Sequence, residues 1–229
     1  MAVLISGSYP LPKYLSPTFS NNTWEQIIEA CQSGRVPAAW AVSDQKEMNI
    51  NGTNYLIDII GKGHDTYSDG TGTAPLTFQL HDCYEEMYSM TAQGMTNSGS
   101  WADTTMRTVH LPAVLELMPN EVKRSIREVN KFTSSSGSNG TIRTSADKLF
   151  LLSEIEVLGH SNSSYSGEGS QYKYYADGGS TSKTKNGSAT NWWSRSPLKG
   201  DAMSYRTFPY SGGSSSNATT NGLSFAFCF

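Results

Sequence analysis

No apolar run in the 229 residues approaches the roughly 20 that a membrane-spanning helix needs. The opening MAVLISGSYP lacks both the basic flank and the apolar core of a secretory leader, so the chain is expected to be made soluble in the cytoplasm, without membrane insertion. Charge is sparse. Charged residues make up 16% of the chain, the formal net charge is −3, and no Lys/Arg cluster forms the basic stripe that grips a phosphate backbone, so nucleic acid is not an expected partner. The three cysteines, Cys31, Cys83 and Cys228, lie far apart without CxxC spacing, which argues against a disulfide framework or a zinc knuckle and predicts small buried hydrophobes. Metal motifs are incomplete as well. Asp65, Asp69 and Gly70 echo the start of a calcium loop, but Tyr67 stands at its third position and Leu76 where the closing Glu belongs. His64-Asp65 and His81-Asp82 flank consecutive predicted strands with no third ligand and no nucleophile, so structural histidines, no cofactor and no enzyme are expected.

What the chain does have is aromatic and small polar residues. Its 12 Tyr and 5 Trp, with 21 Gly and abundant Ser, Thr and Asn, suit a loop-rich domain that meets a partner through polar and aromatic contacts. The length suits one domain with one core. Met1 to Asn22 is set apart by Pro10, Pro12 and Pro17 among Tyr9, Tyr14 and Phe19; it predicts an extended arm that either packs on its own domain or crosses to a neighbouring subunit. Residues 23–229 form the domain. Thr23 and Gln26 have capping-box spacing, and Trp24, Ile27, Ile28 and Cys31 give the following helix its apolar face before Gly34 ends it. Asn51-Gly52, between Lys46–Ile50 and Asn54–Ile60, predicts a type I′ hairpin, and Leu76–Leu80 a further strand. Leu111, Val114, Leu115 and Met118 are spaced as a helix with Pro112 early in it. Residues 126–133 are readable as helix or strand, with strand preferred. Asp147–Ser153 reads as an apolar strand, Ser153 with Glu156 as the cap of a short turn, Gln171–Tyr175 as a short helix and Asp177–Thr190 as a flexible connector.

The last stretch, Asn191 to Phe229, organises the rest. Trp192 and Trp193 at one end, and Leu223, Phe225, Phe227 and Phe229 alternating with Ser224, Ala226 and Cys228 at the other, favour half-buried strands. Between them, Asp201 to Asn221 carries one long aliphatic residue, Met203, in a run of Ser, Gly, Thr and Asn. If the flanking strands pair within one sheet, the middle is carried as a display surface. Tyr205, Arg206, Phe208 and Tyr210 then stand among small polar residues, the mixture of an adaptable paratope. The bland alternative is a solvated loop without function.

The segments ADKLFLLSEIEVLG, GEGSQYKYY, NWWSRSP and GLSFAFCF, in that order, resemble a domain family common in phages and prophages of gut Firmicutes. The C-terminal half is similar to the C-type lectin fold in the form shared with formylglycine-generating enzymes. From Trp193 onward the chain is also similar to the variable region of diversity-generating retroelement proteins, in which asparagine codons are rewritten on a lectin-fold surface. Such codons cannot yield Lys, Gln, Glu, Met or Trp, and Asp201 to Ser224 contains only Met203 of these.

The resemblance implies an α+β, C-type lectin-like fold: a mixed antiparallel sheet with two main helices, long irregular loops and a variable ligand-binding region over residues 192–224. It implies a phage tail-associated virion component that binds a host cell-surface protein or glycan and other tail proteins, with a trimer as the phage-like state. The display set is Ser194, Asp201, Ser204, Tyr205, Thr207, Tyr210, Ser214 and Asn217. Arg206 and Phe208 belong either to that set or to the scaffold of Trp192, Trp193, Arg195, Pro197, Phe225 and Phe227. The alternatives are an enzyme of the formylglycine-generating type and a structural particle component. The paired cysteines and copper-binding groups of that enzyme, and the calcium ligands of sugar-binding lectins, have no counterpart in the sequence.

Overall fold

The structure, a computed structural model, describes residues 14–92, 95–208 and 213–229. It is an α+β arrangement in which every pair of named strands runs antiparallel among the described residues. Thr23 caps helix α1 (Trp24–Gln32) as its spacing predicts: its hydroxyl accepts from the Gln26 amide, and Gln26 reaches back to the Thr23 amide. β1 (Gln45–Ile50) and β2 (Thr53–Lys62) form the expected hairpin, with Asn51 and Gly52 both at positive φ. β3 (Leu76–Leu80) pairs with β2, and the chain end returns to pair with β3 as β11 (Ala226–Cys228), giving a sheet of order β1-β2-β3-β11.

The core sits on this sheet. Phe227 stacks on Phe78 across the β3–β11 pair, with ring centroids 5.3 Å apart, and Phe229, Trp24 and Phe19 close around Phe78. Every side chain from Leu223 to Phe229 is buried, so the alternation in GLSFAFCF separates two covered faces rather than a core face from a solvent face. The described part of the N-terminal arm, residues 14–22, packs on its own domain. Phe19 is in the core, and the Trp40 indole donates to the Ser16 carbonyl at 2.9 Å. The rest of the arm lies outside the described residues.

Residues 100–125 are helical in pieces: a 3-10 turn at Trp101–Asp103, a π turn at Met106–His110, then α2 (Leu111–Leu117) with Pro112 in its first turn, and α3 (Asn120–Ser125). β4 (Val129–Ser136) runs further than expected and pairs with an unforeseen β5 (Asn139–Asp147). Asp147 closes β5, and the apolar run after it is not a strand. Leu149 to Leu152 are buried as an irregular core segment with one bridge, Phe150 to Ala226.

α4 (Glu154–Leu158) has the expected capping box on Ser153 and Glu156, and α5 (Lys173–Ala176) follows. The supposed connector before Trp192 contains a small hairpin, β6 (Lys183–Lys185) and β7 (Ser188–Thr190), turned by Asn186-Gly187 at positive φ. β8 (Trp192–Pro197), β9 (Ser204–Phe208) and β10 (Ser214–Ser216) form a second sheet of order β10-β9-β8. The two aromatic-rich ends of the last stretch therefore lie in different sheets, joined at the Trp192–Gly222 bridge.

Candidate binding surface

The structure overturns the outward display of most of the chosen residues. Ser194, Ser204, Tyr205, Arg206, Thr207, Phe208 and Asn217 are all buried. Asp201 is half-buried, Ser214 is exposed, and Tyr210 lies outside the described residues. The physical reason is the position of β9. It is the central strand of its sheet, and both of its faces are covered, so the strand has no solvent side. On one face, Arg206 donates to Glu154 at 2.9 Å and to the Gly213 carbonyl at 2.6 Å, while Phe208 packs on Trp192 at 4.5 Å between centroids. On the other face lie Tyr205 and Thr207, whose hydroxyls are buried without a partner. Tyr205 and Thr207 are thus scaffold, as are Arg206 and Phe208.

The loops at the ends of this sheet are what reach solvent, and two buried asparagines fix them. Asn97 donates from its backbone to Ala202 O at 2.7 Å and from Nδ2 to Asp201 O at 2.8 Å and Ser204 O at 2.9 Å, while its Oδ1 accepts from Gly137 N at 3.1 Å. Asn217 donates from its backbone to Met203 O at 2.8 Å and from Nδ2 to Met95 O, and its own carbonyl accepts from Thr91 N at 3.1 Å. Gly137, at the tip of the β4–β5 hairpin, leans on the same loop so closely that a Cβ there would lie 2.0 Å from Asp201 O. Asp201 stiffens its own turn by accepting from Met203 N at 2.7 Å and Ser204 Oγ at 2.9 Å.

Three segments around Met95, Asp201–Met203 and Ser214–Thr220 are thereby locked together. Met95 is 51% and Met203 38% exposed, and Ser214, Ser216, Thr219 and Thr220 are exposed beside them. Thr91, Met95 and Asp103 also line a shallow cleft of about 250 Å³. No periodicity marks Met95 or Asn97 in the sequence; Met203 was visible there only as the odd long side chain in a small-residue run.

Beneath the scaffold lies a cluster of buried charges. Lys131 donates to Asp65 at 2.7 Å and to Tyr172 Oη at 3.0 Å and pairs with Glu156 at 2.7 Å; Arg195 holds Glu156 through both carboxylate oxygens. Burial opposes ionisation of both carboxyls, but Lys131 beside Asp65, and Arg195 then Lys131 beside Glu156, outweigh it and hold them below the usual range. His64 stacks on Tyr172 at the mouth of a 120 Å³ recess over this cluster. Its burial pushes the imidazole below its ordinary value. His81 pairs with Asp58 at 2.9 Å, not with Asp82, and that hydrogen bond raises it. Asp82 instead accepts from Thr184 N. The histidines do not converge.

The Glu168 carboxylate is buried with no ion pair among the described residues, Arg195 reaching only its backbone carbonyl, so burial pushes it up against the hydrogen bonds from Ser196 and Ser134. The three cysteines are free and buried. Among the described residues no group of three or more His, Cys, Asp or Glu is placed to hold a metal, and no helix is long and apolar enough to cross a membrane.

Fold and surface together define an α+β domain that buries most of its described aromatic residues and a cluster of ion pairs in its scaffold and presents short polar loops. A family described as a domain of unknown function (DUF6273) matches residues 78–228, well over half of the chain, and the chain belongs to that family. No match was found among curated proteins or among solved structures.

Proposed function

We propose that the chain is a ligand-binding protein of C-type lectin-like architecture, carried on a phage tail, that holds a host cell-surface protein against the loops at Met95, Asp201, Met203 and Ser214. The observation that supports this most is the double pinning by Asn97 and Asn217. It immobilises three loops before any partner arrives, which removes much of the ordering cost of binding. Two exposed, polarisable methionines among small hydroxyl residues favour a protein partner over a glycan, since thioethers adapt to apolar side chains. Retroelement diversification suits only the exposed or half-buried positions of this region, Ser214, Asp201 and their neighbours. Rewriting Tyr205, Thr207 or Asn217 would rewrite the core.

An enzyme of the formylglycine-generating type draws no support from the thiols. Burial pushes Cys31 and Cys83 up to about 12 and Cys228 upward too, leaving no thiolate at neutral pH.

The test is adsorption of the labelled, full-length protein to a panel of gut Firmicutes, compared with the Met95→Lys/Met203→Lys double variant at matched thermal stability. Saturable, protease-sensitive adsorption that the double variant loses is the expected result. Adsorption that survives the substitution, or none across the panel, removes the reading. Protease-resistant adsorption points to a glycan. Docking to other tail proteins and a trimeric state belong to the same proposal, and a monomer by light scattering contradicts the latter.

A further inference from the structure

We propose that the cleft between the π turn with α2 and the segment Ala146–Leu149 is a second ligand site, built for a small monocarboxylate with an apolar body. It is separate from the loop surface and does not depend on that reading. The cleft holds about 460 Å³, a volume in the range of small-molecule sites.

Its polar end is unusually well fixed. Arg107 belongs to the π turn, a rare backbone form that recurs where function holds it in place. The guanidinium donates from Nε to Asp147, from Nη1 to Ala102 O at 3.2 Å and from Nη2 to Ala146 O at 3.0 Å. Asp147 is itself held by Trp101 Nε1 at 2.8 Å and Ser145 Oγ at 2.7 Å. A surface arginine ordinarily loses side-chain freedom when it captures a ligand; Arg107 has lost it already.

Three of its N–H groups are engaged, which leaves one on each terminal nitrogen for an oxyanion. Both Asp147 oxygens accept hydrogen bonds, one from Arg107 and the other from Trp101 and Ser145, so that carboxylate is held against the arginine. Lys148, exposed, near enough to Glu116 to lower its carboxyl and without a hydrogen bond among the described residues, adds an ammonium on the same wall, and Glu128 is the lining carboxylate that pairs with no cation among the described residues. With Asp147 paired to Arg107 the lining is balanced, two cations against two carboxylates, so a single carboxylate head is favoured by the two open Arg107 N–H groups and the exposed Lys148 rather than by net charge. Leu111 and Leu149, both buried, and half-buried Leu115 provide apolar floor for the rest of the molecule.

Octanoate is the probe, titrated into the full chain at low salt by calorimetry and by amide NMR, with octanamide as its uncharged twin. The expected result is one-site saturation, with shifts centred on residues 107–115 and 146–149 and octanamide roughly tenfold weaker. Lys148→Glu, at an exposed position, weakens octanoate about three- to tenfold, and Leu115→Trp, which fills the cleft, abolishes binding. No saturation by about 10 mM octanoate, equal affinity for the amide, or indifference to Lys148→Glu overturns the proposal. If Leu115→Trp does not fold, the amide comparison and Lys148→Glu still decide it.

Discussion

Arg195 clasps Glu156 with both ends of its guanidinium, Nη1 to Oε2 at 2.5 Å and Nη2 to Oε1 at 2.9 Å, in a core where neither side chain reaches solvent. Glu156 is at the same time the capping residue of α4, accepting from Ser153 N at 3.0 Å, and the counterion of Lys131. One carboxylate therefore ties α4, β4 and β8 together, and through Lys131 and Asp65 it reaches the loop between β2 and β3. The rigid frame under the loop surface depends on this set of charges being complete.

Glu156→Gln is accordingly expected to cost about 3–5 kcal/mol, because it leaves Arg195 and Lys131 buried with one carboxylate between them. Arg35→Ala, which removes an exposed pair with Glu29, is expected to change stability by less than about 1 kcal/mol. Urea unfolding of the two variants beside the wild type measures the contrast. Equal effects would mean that the buried cluster is not what holds the frame.

The pH dependence of stability should separate Glu156 from Glu168. Asp65 and Glu156 have lowered folded-state values, so their contribution is present above the unfolded carboxyl range and is lost as pH falls through the folded values. Glu168 has a raised value, so its contribution is full below the unfolded range and is lost as pH rises through its folded value. Glu168→Gln is therefore expected to be neutral or stabilising at pH 7, where Glu156→Gln is destabilising. Melting temperatures across pH 3–8 check both signs.

Much of the frame was legible in the sequence because it is locally encoded. The Thr23–Gln26 and Ser153–Glu156 boxes, the Asn51-Gly52 turn and Pro112 near the start of α2 are short-range signals that tertiary context left intact. β5 was missed because Asn139–Asp147 is polar on both sides and mostly exposed, so alternation leaves no contrast to read. The β6–β7 hairpin did carry an Asn186-Gly187 signal, outweighed by its small polar neighbours. The burial of SYRTF was illegible for the opposite reason. A strand covered on both faces can bury Arg206 because Glu154, far away along the chain, accepts its hydrogen bond, while Ser204 bonds locally to Asp201 and the Thr207 hydroxyl is buried with no partner among the described residues. The leucines and phenylalanine of 149–152 misled because an apolar run reports burial, not strand geometry.

The two histidines that looked alike as His-Asp dipeptides should titrate apart. His81, hydrogen-bonded to Asp58, is raised above 6.5, and His64, desolvated against Tyr172, is lowered below it. For His81 the stability gain is full below the unfolded value and fades as pH rises through the folded one. Asp58→Asn is expected to bring His81 down without moving His64. NMR titration of the imidazole protons decides it, and coincident curves would contradict the assigned partners.

Tyr205 gives the sharpest separation of scaffold from display. Its ring is fully buried, its hydroxyl is buried without a partner, and burial pushes the phenol up. Tyr205→Phe removes an unsatisfied polar atom and is expected to leave stability unchanged or raise it by up to about 1 kcal/mol, whereas Tyr205→Ala opens a cavity and costs about 3–5 kcal/mol. A display residue would behave in the reverse way: alanine would be tolerated by the fold, and phenylalanine would already weaken binding. Parallel unfolding and adsorption measurements on the two variants therefore test whether β9 is the support of the binding surface or part of it. Support requires that Tyr205→Phe adsorb like the wild type, and that whatever Tyr205→Ala loses be lost in step with its folded fraction.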